Sequence, residues 1–297
     1  MVTAQPSSIR WTVARARSIE TMAHGHPPGG PVDVVRRRAA ASSPGLRRGP
    51  SPSVRHNRLG GSVEAAEGYT RPVSGTSRGP SGRFITIEGP EGAGKTSQAE
   101  RLRAALARRG QEVLLTREPG GTPLGERIRE LLLGRGLAVD PRADALLFNA
   151  ARAQLVAEVI RPALTRGALV ISTRYADSTI AYQGFGAGLP IGELRRVELL
   201  ATGGLQADRT ILLDLPVEVG LARKTGAELT RFEREFDVDF HRRVRAGFLE
   251  IARAEPDRFV VVDATAEEHV VFEAVLGAAG PILGLGEPDA PGVRIHR

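Results

Sequence analysis

From residue 83 onward, short apolar runs alternate with longer stretches whose apolar residues recur every three or four positions. Phe84-Ile85-Thr86-Ile87-Glu88 is rich in β-branched residues and closed by Gly89, which predicts a strand. Further runs at 113–115, 168–171, 210–214 and 259–263 predict four more strands. Helical spacing predicts helices over 101–109, 124–133, 143–164, 193–202, 217–224, 236–254 and 266–279. Short, nearly all-apolar strands separated by helices imply a five-stranded parallel sheet flanked by helices on both faces, an α/β architecture.

Charge divides the chain. The 297 residues carry a formal charge of +7, but residues 1–82 hold 12 arginines against four acids. Residues 83–297 hold 29 basic and 30 acidic side chains. A nearly neutral folded part argues against a nucleic-acid-binding core held by bulk phosphate attraction. The first 82 residues contain no Phe and no Lys and are interrupted throughout by Pro, Gly and Ser. Such a segment buries too little apolar surface to offset its ordering entropy. We expect 1–82 to be a disordered extension, or sequence upstream of the true start. Residues 83–284 then form one domain, and 285–297, with Pro288 and Pro291, a flexible tail. No run approaches the ~18 apolar residues of a membrane helix, and there is no secretory h-region. A cytoplasmic protein with neither membrane nor nucleic-acid partners is expected. The absence of Cys excludes a disulfide framework, Cys-ligated zinc and a cysteine nucleophile.

The strongest chemical signal is Gly89-Pro90-Glu91-Gly92-Ala93-Gly94-Lys95-Thr96, a GxxxxGK[ST] phosphate loop between a strand and a helix. Its glycines let backbone N–H groups curl around phosphate oxygens, and the following helix N-terminus adds positive charge. Lys95 suits the β- and γ-phosphates, and the Thr96 hydroxyl suits Mg²⁺. The chain has 39 Arg and only two Lys, Lys95 and Lys224, so the choice of a compact ammonium here carries weight. The motif implies the phosphate-loop NTPase fold and a nucleotide ligand, but not which chemistry.

Three other segments carry polar side chains to strand ends or helix faces. Arg117-Glu118-Pro119-Gly120-Gly121 closes the second strand with a forced turn. Phe148 and Arg152 share one helix face, where a ring and a fork of donors suit a planar base. Spacing alone equally allows a core ring and a solvated arginine. Arg174-Tyr175 through Ser178, Thr179, Tyr182, Gln183 and Gly184 follows the third strand and holds two of the chain's three Tyr.

In order and spacing, residues 89–96, Arg117 to Gly121, Ala151-Arg152-Ala153-Gln154 and Arg174-Tyr175 through Tyr182-Gln183-Gly184 resemble bacterial thymidylate kinases. The likeness runs from about residue 84 to 279. It implies transfer of the ATP γ-phosphoryl to dTMP, giving dTDP with Mg²⁺, in a homodimer. By matching position, Phe148 would stack on thymine, Arg152 would donate to a thymine carbonyl and Gln183 would pair with the base edge. Arg129 and Arg174 would grip the acceptor phosphate. Glu91 would approach the 3′-hydroxyl, Tyr182 would crowd the 2′ position, and Ser178 and Thr179 would line the same loop.

The family supplies a transition-state arginine either within the phosphate loop or from a mobile lid. Here the loop has no basic residue in its variable positions, so the lid type is expected, over 222–234. Arg223 and Arg231 are the favoured cations, with Lys224 and Arg234 beside them. Two departures stand out. Thr173 and Thr230 each precede an arginine where the family usually has Asp. The loss of a carboxylate at 173 implies slower turnover or weaker Mg²⁺ dependence, with Glu118 or Asp177 as substitute metal-side acids. At this stage a nucleotide-binding protein with impaired catalysis, or a kinase for another nucleoside monophosphate, also stays open.

Overall fold

The computed structural model describes residues 82–134, 137–224 and 230–284. Nearly all of the expected extension, the tail at 285–297 and residues 225–229 of the expected lid lie outside them. The strands are β1 (Phe84–Glu88), β2 (Val113–Arg117), β3 (Leu169–Thr173), β4 (Arg209–Asp214) and β5 (Phe259–Asp263). All pair in parallel in the order β2-β3-β1-β4-β5. The connection after β1 runs to β2 on one side and that after β3 crosses to β4 on the other, so the crevice where such sheets bind ligands opens at the carboxyl ends of β1 and β3.

Helices are α1 (Lys95–Ala107), α2 (Pro123–Leu133), α3 (Pro141–Leu155), α4 (Arg161–Thr165), α5 (Ala176–Thr179) and α6 (Ile191–Thr202). They continue with α7 (Val217–Ala222), α8 (Arg231–Glu235), α9 (Val238–Ala254) and α10 (Glu268–Leu283). β1 and β3 are buried at every residue, which is why both read as unbroken runs. Strand side chains alternate between faces. Ile85 and Ile87 join Leu102 and Leu106 of α1 and Val271 and Val275 of α10. Phe84 enters the opposite core with Leu155, Ile160 and Val170. Thr86 and Glu88 share that second face, and Thr86 Oγ1 lies 2.8 Å from Thr210 Oγ1 on β4.

Helix starts follow from side-chain caps. Thr122 accepts from the Gly125 N–H ahead of α2, Asp140 from Arg142 ahead of α3, and Asp237 from Phe240 ahead of α9. Two expectations change. The single helix expected over 143–164 is α3 and α4 joined by a π-helical stretch, Val156–Ile160. Pro162 lacks an N–H and crowds the carbonyl four residues back, and the wider turn relieves that. The polar segment after β3, expected as a loop, is helical instead: α5 runs into a π-helical stretch, Ile180–Gly186. Glycine lets it lie close to α9. A Cβ on Gly186 would come within 2.7 Å of the Phe240 ring, and one on Gly247 within 2.6 Å of Phe185.

Candidate active site

The phosphate loop leaves β1 and enters α1 with Gly89, Gly92 and Gly94 at φ of 143°, 71° and 83°. Side chains are excluded by contact as well as by dihedral: a Cβ on Gly92 would lie 1.9 Å from the Gly220 carbonyl oxygen. Lys95 folds back over the loop, its Nζ donating to the carbonyls of Gly89 (3.0 Å) and Pro90 (2.7 Å). Burial, reinforced by the nearby Arg174 charge, pushes the Lys95 ammonium down to about 7. An anionic phosphate in the loop would restore its charge. Thr96 is exposed on the cleft floor.

A cleft of about 500 Å³ runs from this loop across the carboxyl ends of the strands. Glu91, Lys95, Thr96, Arg129, Phe148 and Arg174 line it, and so do Ser178, Thr179, Tyr182, Gln183, Arg223 and Lys224. Fold and topology thus bring together most of the residues that the sequence singled out. Glu91 is the junction. It accepts from Arg174 Nη2 at 2.6 Å and from the Tyr182 hydroxyl at 2.8 Å, and Lys224 Nζ lies 3.2 Å away. Burial alone would raise its carboxyl, yet Arg174, Lys95 and Lys224 hold it well below the usual carboxylate range. Arg174 also donates to Tyr182 OH at 3.0 Å and Ser178 Oγ at 3.2 Å. Arg129 is anchored by the Pro119 carbonyl at 2.9 Å. Phe148 faces Phe232, with ring centroids 6.1 Å apart, and Gln183 is buried in the cleft wall.

Four expected roles meet other partners. Arg152 does not line the cleft. It is buried behind the wall, giving Nε to Glu118 (2.8 Å), Nη1 to Asn149 and Thr179 (both 3.1 Å) and Nη2 to the Tyr175 carbonyl (2.9 Å). Nη2 also lies 2.7 Å from Glu118, so all five N–H donors of Arg152 are engaged. Glu118, expected beside the metal, lines the cleft and is met there by Arg152. One of its oxygens is taken by Arg152 and the other is sealed from solvent without a partner. Asp177, the other expected substitute, has both its oxygens gripped by Arg258 at 2.7 and 2.8 Å. Arg231, expected over the phosphates, is buried against Asp144 of α3 at 2.6 Å. Arg223 stays on the cleft, donating to the Ala264 carbonyl at 3.0 Å. Thr173 sits at the strand tip, so no carboxylate occupies that position.

Sequence reasoning passed over Glu88 and Asp144. Glu88 had a signal, a carboxylate ending an otherwise apolar strand. Asp144 had none, because its partner lies 87 residues away.

A phosphate loop at the sheet's switch edge, facing arginines and an aromatic slot across one carboxylate, defines a phosphate-loop enzyme built to hold two phosphorylated ligands. A model of the thymidylate kinase family matches residues 87–275. The chain is 54% identical over 205 residues to a thymidylate kinase of Thermomicrobium roseum, covering 68% of this chain and 97% of that protein. It is 52% identical over 198 residues to that of Deinococcus radiodurans, covering 67% and 96%. The crystal structure of a thymidylate kinase from Ehrlichia chaffeensis superposes with a TM-score of 0.56 at 33% identity, covering 66% of this chain and 98% of that one. The chain belongs to the thymidylate kinase family and is a nucleoside monophosphate kinase.

Proposed function

We propose that this protein transfers the γ-phosphoryl group of ATP to the 5′-phosphate of dTMP, yielding dTDP and ADP. The supporting observation is the convergence on Glu91: the acceptor-side Arg174 and Lys224 touch one carboxylate that also feels Lys95 of the donor loop. Two anions can be brought end to end only where such charge is concentrated.

An oxygen of the dTMP phosphate attacks the γ-phosphorus, and the bond to the β–γ bridging oxygen breaks as ADP leaves. The acceptor phosphate is already a nucleophile at neutral pH, so positioning and charge carry the catalysis. The loop amides and Lys95 hold the donor. Arg174 and Arg129 hold the acceptor, displacing Glu91 from Arg174. Phe148 stacks on the pyrimidine and Gln183 reads its edge, with Ser178 and Thr179 alongside. Arg152 fixes Thr179 from behind. Tyr182, braced edge-on by Phe232 at 5.6 Å, closes the sugar's 2′ side. Of the described residues in the segment expected as a lid, Arg223 and Lys224 line the cleft and would face the transferred group.

Mg²⁺ fits this site in a restricted sense. Among the described residues no cluster of three acids or histidines is gathered for a metal. The Thr96 hydroxyl would be the protein ligand, with phosphate oxygens and water completing the shell. Bound there, the ion neutralises charge on the phosphates.

We further infer a homodimer. Leu131 of α2, Leu146 of α3 and Leu200 of α6 are 51%, 58% and 86% exposed, on helices that neighbour one another. No helix among the described residues is long and apolar enough to cross a membrane. A cytoplasmic location accords with its nucleotide substrates.

A coupled assay of ADP release against a panel of nucleoside monophosphates tests the reading. Turnover with dTMP well above that with other monophosphates is expected. Binding without turnover, or preference for another base, would overturn it.

A further inference from the structure

Glu88 ends β1 with no exposed surface and does not line the cleft. A fully buried carboxylate needs a reason, and its partners supply one. One oxygen accepts the Tyr175 N–H at 2.7 Å, and the other accepts the Ser178 hydroxyl at 2.6 Å. Both donors follow Arg174 in the chain, by one residue and by four.

Arg174 itself is strained. Its φ of 69° makes it the one non-glycine residue in the left-handed region among the described residues. L-residues avoid that region unless the surroundings impose it. Here the Arg174 N–H is held by the Ile87 carbonyl at 3.0 Å, and its carbonyl by the Ser172 hydroxyl at 2.8 Å. The Tyr175 N–H is turned inward to Glu88. The side chain is aimed by the same carboxylate at second hand. Ser178 has one proton, which goes to Glu88, so a lone pair is left facing Arg174 Nη1 at 3.2 Å.

We propose that Glu88 is a positioning residue for phosphoryl transfer. It holds the left-handed backbone at Arg174 through Tyr175, and it turns the Ser178 hydroxyl to accept from the Arg174 guanidinium. The inference rests on Arg174 gripping the acceptor phosphate. Glu88 touches neither nucleotide. Its replacement by an amide reverses the sense of the Ser178 bond, since the amide donates where the carboxylate accepted.

Steady-state kinetics with dTMP and ATP on Glu88→Gln, Arg174→Ala and the double variant test this as a thermodynamic cycle. Glu88→Gln is expected to lower kcat/KM for dTMP about 30-fold, with the KM for ATP changed by about twofold or less. In the Arg174→Ala background the same substitution should cost about threefold or less, because its target is gone. Equal losses in both backgrounds, or no loss in either, would overturn the proposal. A Ser178→Ala cycle against Arg174→Ala decides the matter where Glu88→Gln does not fold, with the same coupling expected and additivity contradicting it. An Arg174→Ala protein with undiminished use of dTMP sinks the phosphate-gripping role of Arg174, and this inference with it. Loss in Arg174→Ala together with additivity removes the role of Glu88 alone.

Discussion

Arg174 Nη2 stands 2.6 Å from Glu91 Oε1, so the arginine proposed for the acceptor is tied to the donor loop itself. Under the proposed function, that carboxylate gives way to the acceptor phosphate. Arg174→Lys keeps one charge but loses the fork that serves Glu91, Tyr182 and Ser178 together. We expect kcat/KM for dTMP to fall about 10- to 100-fold. An undiminished value in initial-rate measurements would remove Arg174 from the acceptor site.

Two cations of the expected lid, Arg231 and Lys224, part company. Arg231→Ala strands Asp144 as a buried, unpaired carboxylate and should cost about 3–5 kcal/mol of stability, read as a lowered unfolding midpoint. Lys224→Ala should instead lower kcat about 100-fold or more with little change in unfolding, because its ammonium lies on the cleft, 3.2 Å from Glu91. The opposite pattern would return Arg231 to the phosphates.

Thr173 lines the cleft where the family usually carries Asp, and Glu118 and Asp177 are both occupied by arginines. Thr173→Asp should raise turnover and lower the Mg²⁺ concentration needed for half-maximal rate. A titration of rate against Mg²⁺ checks this. No gain at any concentration rejects the idea.

Burial, then repulsion from Asp177, pushes the Glu88 carboxyl from 4.5 up to about 7, with Arg174, Ser178 and Tyr175 opposing. Between those pH values the folded state holds a proton that the unfolded state has lost. Stability from this group is therefore present below about pH 4.5 and lost as pH rises through about 7. The loss is at most about 3 kcal/mol. Denaturant unfolding of the native protein should show this decline, and Glu88→Gln should flatten it. Identical slopes would show that Glu88 does not titrate there.

The sheet and the phosphate loop were legible because both are local. Five apolar runs and one eight-residue motif sit within single stretches of chain. The cleft lining was legible at the level of residue type, since Phe148, Arg174, Tyr182 and Gln183 all reach it. What each arginine does was not. Arg152 and Arg231 are fully buried because Glu118 and Asp144 meet them across 34 and 87 residues, and no spacing rule encodes such pairings. The helix at 176–186 was hidden for another reason. Ser178, Thr179 and Gln183 face the cleft, while Ile180 and Ala181 pack with Phe248 and Leu194 in the core, so the apolar spacing is thin.

The most direct measurement of the central claim is a crystal structure with dTMP and a non-hydrolysable ATP analogue. We predict the dTMP phosphate between Arg174 and Arg129, Glu91 released from Arg174, the thymine against Phe148, and the γ-phosphate in line above Lys95. A nucleobase bound away from Phe148, or an acceptor phosphate out of reach of Arg174, would contradict the account.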